Sequence, residues 1–264
     1  MKISIQSICK NLMFTLLSLY ILHVQVSNAD LQDEIQVYDD SINKQGAFGL
    51  ELHVNTTPSG RSASNYPHEV PPEHALRINP EFSYGLSQDF EAGFYLPTIL
   101  NSKSEYDVAG AKLRLKWLPL HSELNQGWFA GVNLELSRLQ QKYSESQSTA
   151  ETRFIFGRRT EDWLIAFNPI LDFNLSGQYR RQSPDLVAAL KLSRKLASGL
   201  STGFEYYSSL GKVNDMLPVN QQDNRLYLTF DVDRAPWVFN IGLGRGLTSA
   251  SDKWTLKAVF EVPI

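Results

Sequence analysis

Glu51 and His53 stand two residues apart, and a carboxylate beside an imidazole is a pair that can move protons. Their surroundings argue against catalysis. Phe48, Leu50, Leu52 and Val54 alternate with Gly49, Glu51, His53 and Asn55, so on a strand the acid and the imidazole share the face opposite the apolar row. A barrel that cuts lipid would need its His and a Ser on the outer, lipid-side face. The pattern turns His53 the other way, as a polar lining residue.

The remaining chemically suggestive residues are weaker. His68, His74 and His121 fall in or beside loop-like stretches without metal-ligand spacing. Asp231 and Asp233 share a strand face and suit a cation or, more simply, a pair of acids near a strand end. Gly242-Leu243-Gly244-Arg245-Gly246 lacks the strand-turn-helix context of a phosphate loop and reads as strand glycines. No catalytic, cofactor-binding or metal site is expected, and no enzyme activity.

A richer signal is a row of bases. Between 108 and 118, Lys112, Arg114 and Lys116 alternate with Ala111, Leu113, Leu115 and Trp117. Three cations in one row repel on a solvated sheet, but inside a closed barrel they can be answered by acids on other strands. Arg77, Glu81, Glu91, Glu135 and Glu205 occupy equivalent polar-face positions. The expected lumen-lining set is therefore Glu51, His53, Arg77, Glu81, Glu91, Lys112, Arg114, Lys116, Glu135 and Glu205, forming an ion-paired interior.

Positioning such a set takes many strands of the same alternation. The last stretch is one: Trp254, Leu256, Ala258, Phe260, Val262 and Ile264 form an apolar row against Lys253, Thr255, Lys257 and Glu261. Others run 76–84, 90–98, 108–118, 128–137, 150–158, 163–175, 185–196, 200–209, 225–233 and 237–244, which with 48–55 makes about twelve. The stretch 57–74, with Pro58, Pro67, Pro71 and Pro72, reads as a loop that cannot join a ladder. Short turns near Gly85, 159–161, 197–199 and 234–235 alternate with long polar links at 57–74, 138–149, 176–184, 210–224 and 245–252. The link 119–127 is long for its place, and Pro97 and Pro169 interrupt expected strands. Trp117, Trp128, Trp163, Trp237 and Trp254 all fall near strand ends, where an interfacial girdle lies. The fold expected is all-β: a closed antiparallel transmembrane β-barrel over 48–264, pairing last strand with first.

A mean hydropathy of −0.25 and 42% hydrophobic residues are compatible with this, because a barrel spreads its membrane signal over alternating positions. Residues 1–29 read as a signal peptide: Lys2 and Lys10, an apolar core from Leu12 to Leu22, and Ser27-Asn28-Ala29 before Asp30. That core is shorter than the roughly 18 residues of a spanning helix. The sole cysteine, Cys9, lies within residues 1–29 ahead of that core, so the exported chain is expected to carry no thiol. Removing the two lysines leaves 23 of the 25 basic residues against 28 acids, a net charge of −5 that invites no nucleic acid. Residues 30–47, with Asp33, Glu34, Asp39 and Asp40 around Ile35, Val37 and Tyr38, form either a periplasmic lead-in resting in the barrel mouth or a short extra strand.

In Phe48-Gly49-Leu50-Glu51-Leu52-His53-Val54-Asn55, in residues 69–77 (EVPPEHALR), in Pro80-Glu81-Phe82-Ser83-Tyr84-Gly85-Leu86 and in Gly110-Ala111-Lys112-Leu113-Arg114-Leu115-Lys116-Trp117, the sequence resembles the outer-membrane barrels of the phenol-degradation MetA-pathway family. The resemblance covers most of the mature chain and carries no catalytic signature. It implies an outer-membrane barrel with a transport role, in contact with outer-membrane lipid and with the assembly machinery. The chain departs from such barrels at its last residue, where Ile264 stands in place of the usual aromatic. The function expected is passive passage of a small solute, hydrophobic or aromatic if the family's context applies. The alternative is a non-conducting structural or adhesive barrel that acts through its loops.

Overall fold

The computed structural model describes residues 34–122 and 126–263. The signal peptide, its cleavage after Ala29, Asp30 to Asp33 and Ile264 lie outside these residues.

Fifteen strands form one sheet: β1 (Phe48–Ser59), β2 (Leu76–Gly85), β3 (Phe90–Tyr95), β4 (Thr98–Leu100), β5 (Tyr106–Val108), β6 (Gly110–Leu120), β7 (Gly127–Leu139), β8 (Ser148–Arg159), β9 (Trp163–Asn174), β10 (Asp185–Ala197), β11 (Leu200–Lys212), β12 (Asp215–Met216), β13 (Asp223–Arg234), β14 (Trp237–Gly246) and β15 (Trp254–Val262). Twelve of them close a ring of antiparallel neighbours, with β4, β5 and β12 extending its long-loop end. Closure is direct, since β1 pairs β15 from Leu50↔Val262 to Ser59↔Trp254 and pairs β2 on its other edge. No edge is left in the ring, which is what a sheet needs to stand in lipid.

The two faces invert the soluble rule. Leu113, Leu134, Leu136, Phe156, Ile165, Leu190, Phe204, Leu228, Ile241 and Leu256 are exposed on the outside, while most charged positions of the same strands are buried within. The outer row is the lipid-facing belt. Trp128, Trp163 and Trp237 stand at its short-turn edge and Trp254 at the other, and Arg158, Arg194 and Arg245 lie over three of these rings at 5.3, 5.3 and 4.7 Å. Cations on interfacial rings mark where a bilayer's polar zone begins.

Several expected boundaries move. The ladder of β1 continues to Ser59 through Pro58, because an irregularity after Thr56 lets the proline sit out of register. The expected strand 90–98 stops at Tyr95 and resumes as β4, since Pro97 has no amide hydrogen to donate; Leu96 instead bonds Pro80 O at 3.1 Å. The polar link that follows contains the β4–β5 hairpin. Pro169 stays within β9, paired opposite Ala188. On the long-loop side β11 runs three residues beyond 209, to Lys212.

Candidate functional site

A barrel of eight strands fills with its own side chains and one of sixteen holds a channel. Twelve leave an intermediate space, and here residues 34–47 enter it. Among the described residues no strand precedes β1, so residues 34–47 add no strand to the sheet. As far as Asn43 their bonds to the wall run to side chains. Asn168 on β9 accepts from the Tyr38 amide at 2.7 Å and donates Nδ2 to Tyr38 O at 3.0 Å. Arg153 donates to Gln36 O at 2.9 Å, Lys257 to Ile35 O at 3.0 Å and Lys116 to Ser41 O at 3.2 Å. These bonds meet the need of a buried backbone for partners without a ladder.

The wall is two-sided, and the segment fits both sides. Leu118 on β6, Phe129 on β7, Ile155 on β8, Ile170 on β9 and Val187 on β10 point inward and pack with Ile35, Val37 and Tyr38 in one buried cluster. Tyr38 is the anchor: its hydroxyl meets that of Tyr95 at 2.8 Å, and Arg153, Lys116 and Arg114 lie 4.3, 4.7 and 5.9 Å from its ring centre. Such cation–ring contacts strengthen as water is excluded.

Toward the short-turn mouth the contacts become ionic. Arg159 binds Asp39 at 3.2 Å and also grips Asp40. Burial alone would raise the Asp39 carboxyl, but Arg159 and then Lys191 hold it below the ordinary carboxylate range. Asn43 donates its amide to Glu91 and its side chain to Ser83, each at 2.7 Å. The chain then turns into β1 at Gly46, whose φ of +80° favours glycine, and the Gly46 amide reaches Gly85 O at 2.8 Å. A side chain at Gly85 would strike the Lys44 carbonyl.

Opposite the apolar side lies a charged wall. Arg114 bonds Glu81 at 2.6 Å and Glu91 at 2.7 Å, Lys116 approaches Glu91 at 3.8 Å, and Lys112 meets Glu135 at 3.2 Å. His53 Nε2 lies 3.1 Å from Glu81 and 3.8 Å from Glu51. Farther round, Glu205 accepts from Lys257 and from the Tyr207 hydroxyl at 2.6 Å and lies 3.6 Å from the Lys191 ammonium, which binds Asp231 at 2.7 Å. Arg77 is buried on the same inner face. The pairs run along the wall between strands one to three apart, and the centre is taken by residues 34–47.

Of the other residues singled out in the sequence, His68 and His74 are in the loop after β1, His121 sits beside Asp89 at 2.9 Å, and Gly242, Gly244 and Gly246 lie within β14. Sequence reasoning did not single out Tyr38, Tyr95, Arg153, Arg159, Asn168, Lys191 or Lys257 as site residues. Most of them stand on inward rows that alternation alone could have supplied. The partner they share, the lead-in backbone, leaves no mark on their own strands.

No family model matches the chain, and no curated protein does. In fold it is similar to the COG4313 outer membrane channel from Pseudomonas putida F1, at 14% identity and a TM-score of 0.59 over 87% of this chain and 99% of that one. It is also similar to the KdgM porin, at 8% identity and a TM-score of 0.53 over 82% and 99%, and to the same porin in complex with disordered oligogalacturonate, at 7% and 0.53. The shared feature is the architecture of an outer-membrane β-barrel.

Proposed function

We propose that the chain is an outer-membrane conduit for small solutes whose lumen is closed, in the state described, by its own N-terminal segment. The observation that carries this reading is the mode of attachment. Residues 34–47 are held by wall side chains that bond backbone carbonyls and cage one phenol ring, contacts a solute can replace one by one without breaking a sheet ladder. A conduit needs a closed wall, a selective lumen and a gate, and the ring of strands, the two-sided wall and the segment supply these.

The solute class that fits is small, with an apolar or aromatic face. Tyr38 shows what the wall can hold: a ring against Arg153 and Lys116, a hydroxyl on Tyr95, and an apolar flank. The resemblance to the MetA-pathway barrels points the same way, and the likeness to solved channels and porins agrees with passive passage. The proposal includes export by the signal peptide of residues 1–29 with cleavage after Ala29, the lead-in of 30–47, and the barrel of 48–264 in the outer membrane. The ten wall residues from Glu51 to Glu205 named above are its lining.

Single-channel recording in planar bilayers tests it. The intact exported chain should show small or rare openings, and a chain lacking 34–44 should show larger and persistent ones. Equal conductance in the two overturns the gate. Absence of conductance in both favours the alternative, a structural barrel, which the filled lumen would also suit.

A further inference from the structure

We propose that Glu51, His53 and Glu81 form a binding site for a divalent transition-metal ion of the zinc type on the inner wall of the barrel. Alternation puts Glu51 and His53 on one face of β1, and the β1–β2 register sets Glu51 directly opposite Glu81 and His53 opposite Asn79. One ligand atom from each of the three residues lies within 4.8 Å of the other two. The His53 Nε2 distances of 3.1 and 3.8 Å to the two carboxylates bracket the roughly 3.3 Å edge of a tetrahedron built on zinc bonds of about 2.0 Å.

Ion pairing among these groups leaves a mismatch. Two carboxylates directly opposite on neighbouring strands repel. Arg114 takes Glu81 Oε1 and so leaves Oε2 toward His53. Around this point Arg114 and Lys116 face Glu51, Glu81, Glu91 and Glu34, the last of which acts electrostatically on His53. With Arg153, which also faces Glu34 and pairs with Glu151 at 2.9 Å, three cations meet five acids, a balance that one divalent ion restores.

An independent observation supports a ligand. Asn79, buried on the same inner face opposite His53, has neither Oδ1 nor Nδ2 hydrogen-bonded, and Glu34 Oε1 is buried without a partner as well. Buried polar atoms are nearly always satisfied. An ion carrying water in its fourth position would supply O–H donors for the Asn79 Oδ1 and Glu34 Oε1 acceptors. One imidazole with two carboxylates suits zinc and its neighbours better than calcium or magnesium, which take oxygen alone.

The test is calorimetric titration of zinc chloride into the purified barrel protein with residues 34–47 in place. One saturable site is expected, weakened at least tenfold by Glu51→Gln and abolished by His53→Asn, with His121→Asn leaving it unchanged. The Glu51 side chain is 28% exposed, so Glu51→Gln keeps the test available if the fully buried His53 position does not tolerate change. Absence of saturable binding, or identical binding in wild type and Glu51→Gln, overturns the proposal.

Discussion

Replacing Tyr38 by alanine removes the side chain that anchors residues 34–47 in the lumen. The ring is 5% exposed, bonded at its hydroxyl and flanked by Arg153, so its loss resembles truncation of a core aromatic, about 3–5 kcal/mol. The barrel ladder is untouched by this change, and the cost falls on docking of the segment. Taking the lower figure, at about 1.4 kcal/mol per tenfold, the undocked population rises about 100-fold. Tyr38→Phe removes only the hydroxyl bond, about 1 kcal/mol, and should raise it about fivefold. Cys9, the one cysteine of the sequence, is lost with the proposed signal peptide or replaced by serine for this assay, so Val37→Cys, at a buried position, supplies the thiol that reports undocking through its rate of reaction with a maleimide. Labelling should be slow in Val37→Cys alone, about fivefold faster with Tyr38→Phe and about 100-fold faster with Tyr38→Ala. Equal slow rates in all three would refute the anchor role of Tyr38, and equal fast rates would refute docking itself.

Three other outcomes follow from the same contacts. Leu228→Arg, at the middle of β13 on the outer face, should destabilise the folded barrel in lipid by about 2–4 kcal/mol in urea titration, whereas Thr255→Ser on the inner face should leave the midpoint nearly unchanged. The lowered Asp39 carboxyl stabilises docking at any pH above its unperturbed value, about 3.9, and that contribution is lost as pH falls through the lowered value. Val37→Cys labelling, divided by the rate of a free thiol at the same pH to remove the thiolate dependence, should therefore be flat from pH 8 to about 5 and rise only below about pH 4; a rise near pH 6 would assign the control to another group. Arg114→Glu strands Glu81 and Glu91 beside a third acid, so open-channel conductance should change more than ion preference; reversal potentials swinging strongly toward cations at unchanged conductance would show that the wall is not ion-paired.

The barrel was legible because its signal is local and repeated. Leu113, Leu115 and Trp117 against Lys112, Arg114 and Lys116 is a pattern that only a two-faced strand explains, and the short turns fix which strands are neighbours. What stayed hidden depends on distance in the chain. The Tyr38–Asn168 bonds span 130 residues and involve a segment with no period, so neither end announces the other. The strand break at Leu96-Pro97 was marked by its proline, whereas Pro80 and Pro169 stay within their strands by pairing on one side only, with Leu52 and Ala188, while the ladder on the other side skips them. The grouping of Glu81 with Glu51 and His53 requires the β1–β2 register, which the long loop 60–75 between them does not set.

The asymmetry of the inner wall explains why a segment of this composition is there at all. Open to water, β7 to β10 would present Phe129, Ile155, Ile170 and Val187 to the lumen, at about 25 cal/mol for each Å² left wet. Covering them takes an apolar edge, which Ile35, Val37 and Tyr38 provide. The same segment must then face Arg153, Lys116 and Lys257, cations that need acceptors once desolvated, and its backbone carbonyls provide those. Any solute that displaces it inherits both demands: an apolar face for the side chains of β7 to β10 and oxygen acceptors for the cations, of which Arg153 stands on β8 itself. Solutes that satisfy only one leave either wet hydrocarbon or buried unpaired charge, so under the proposed function the closing segment also sets the selectivity of the channel it closes.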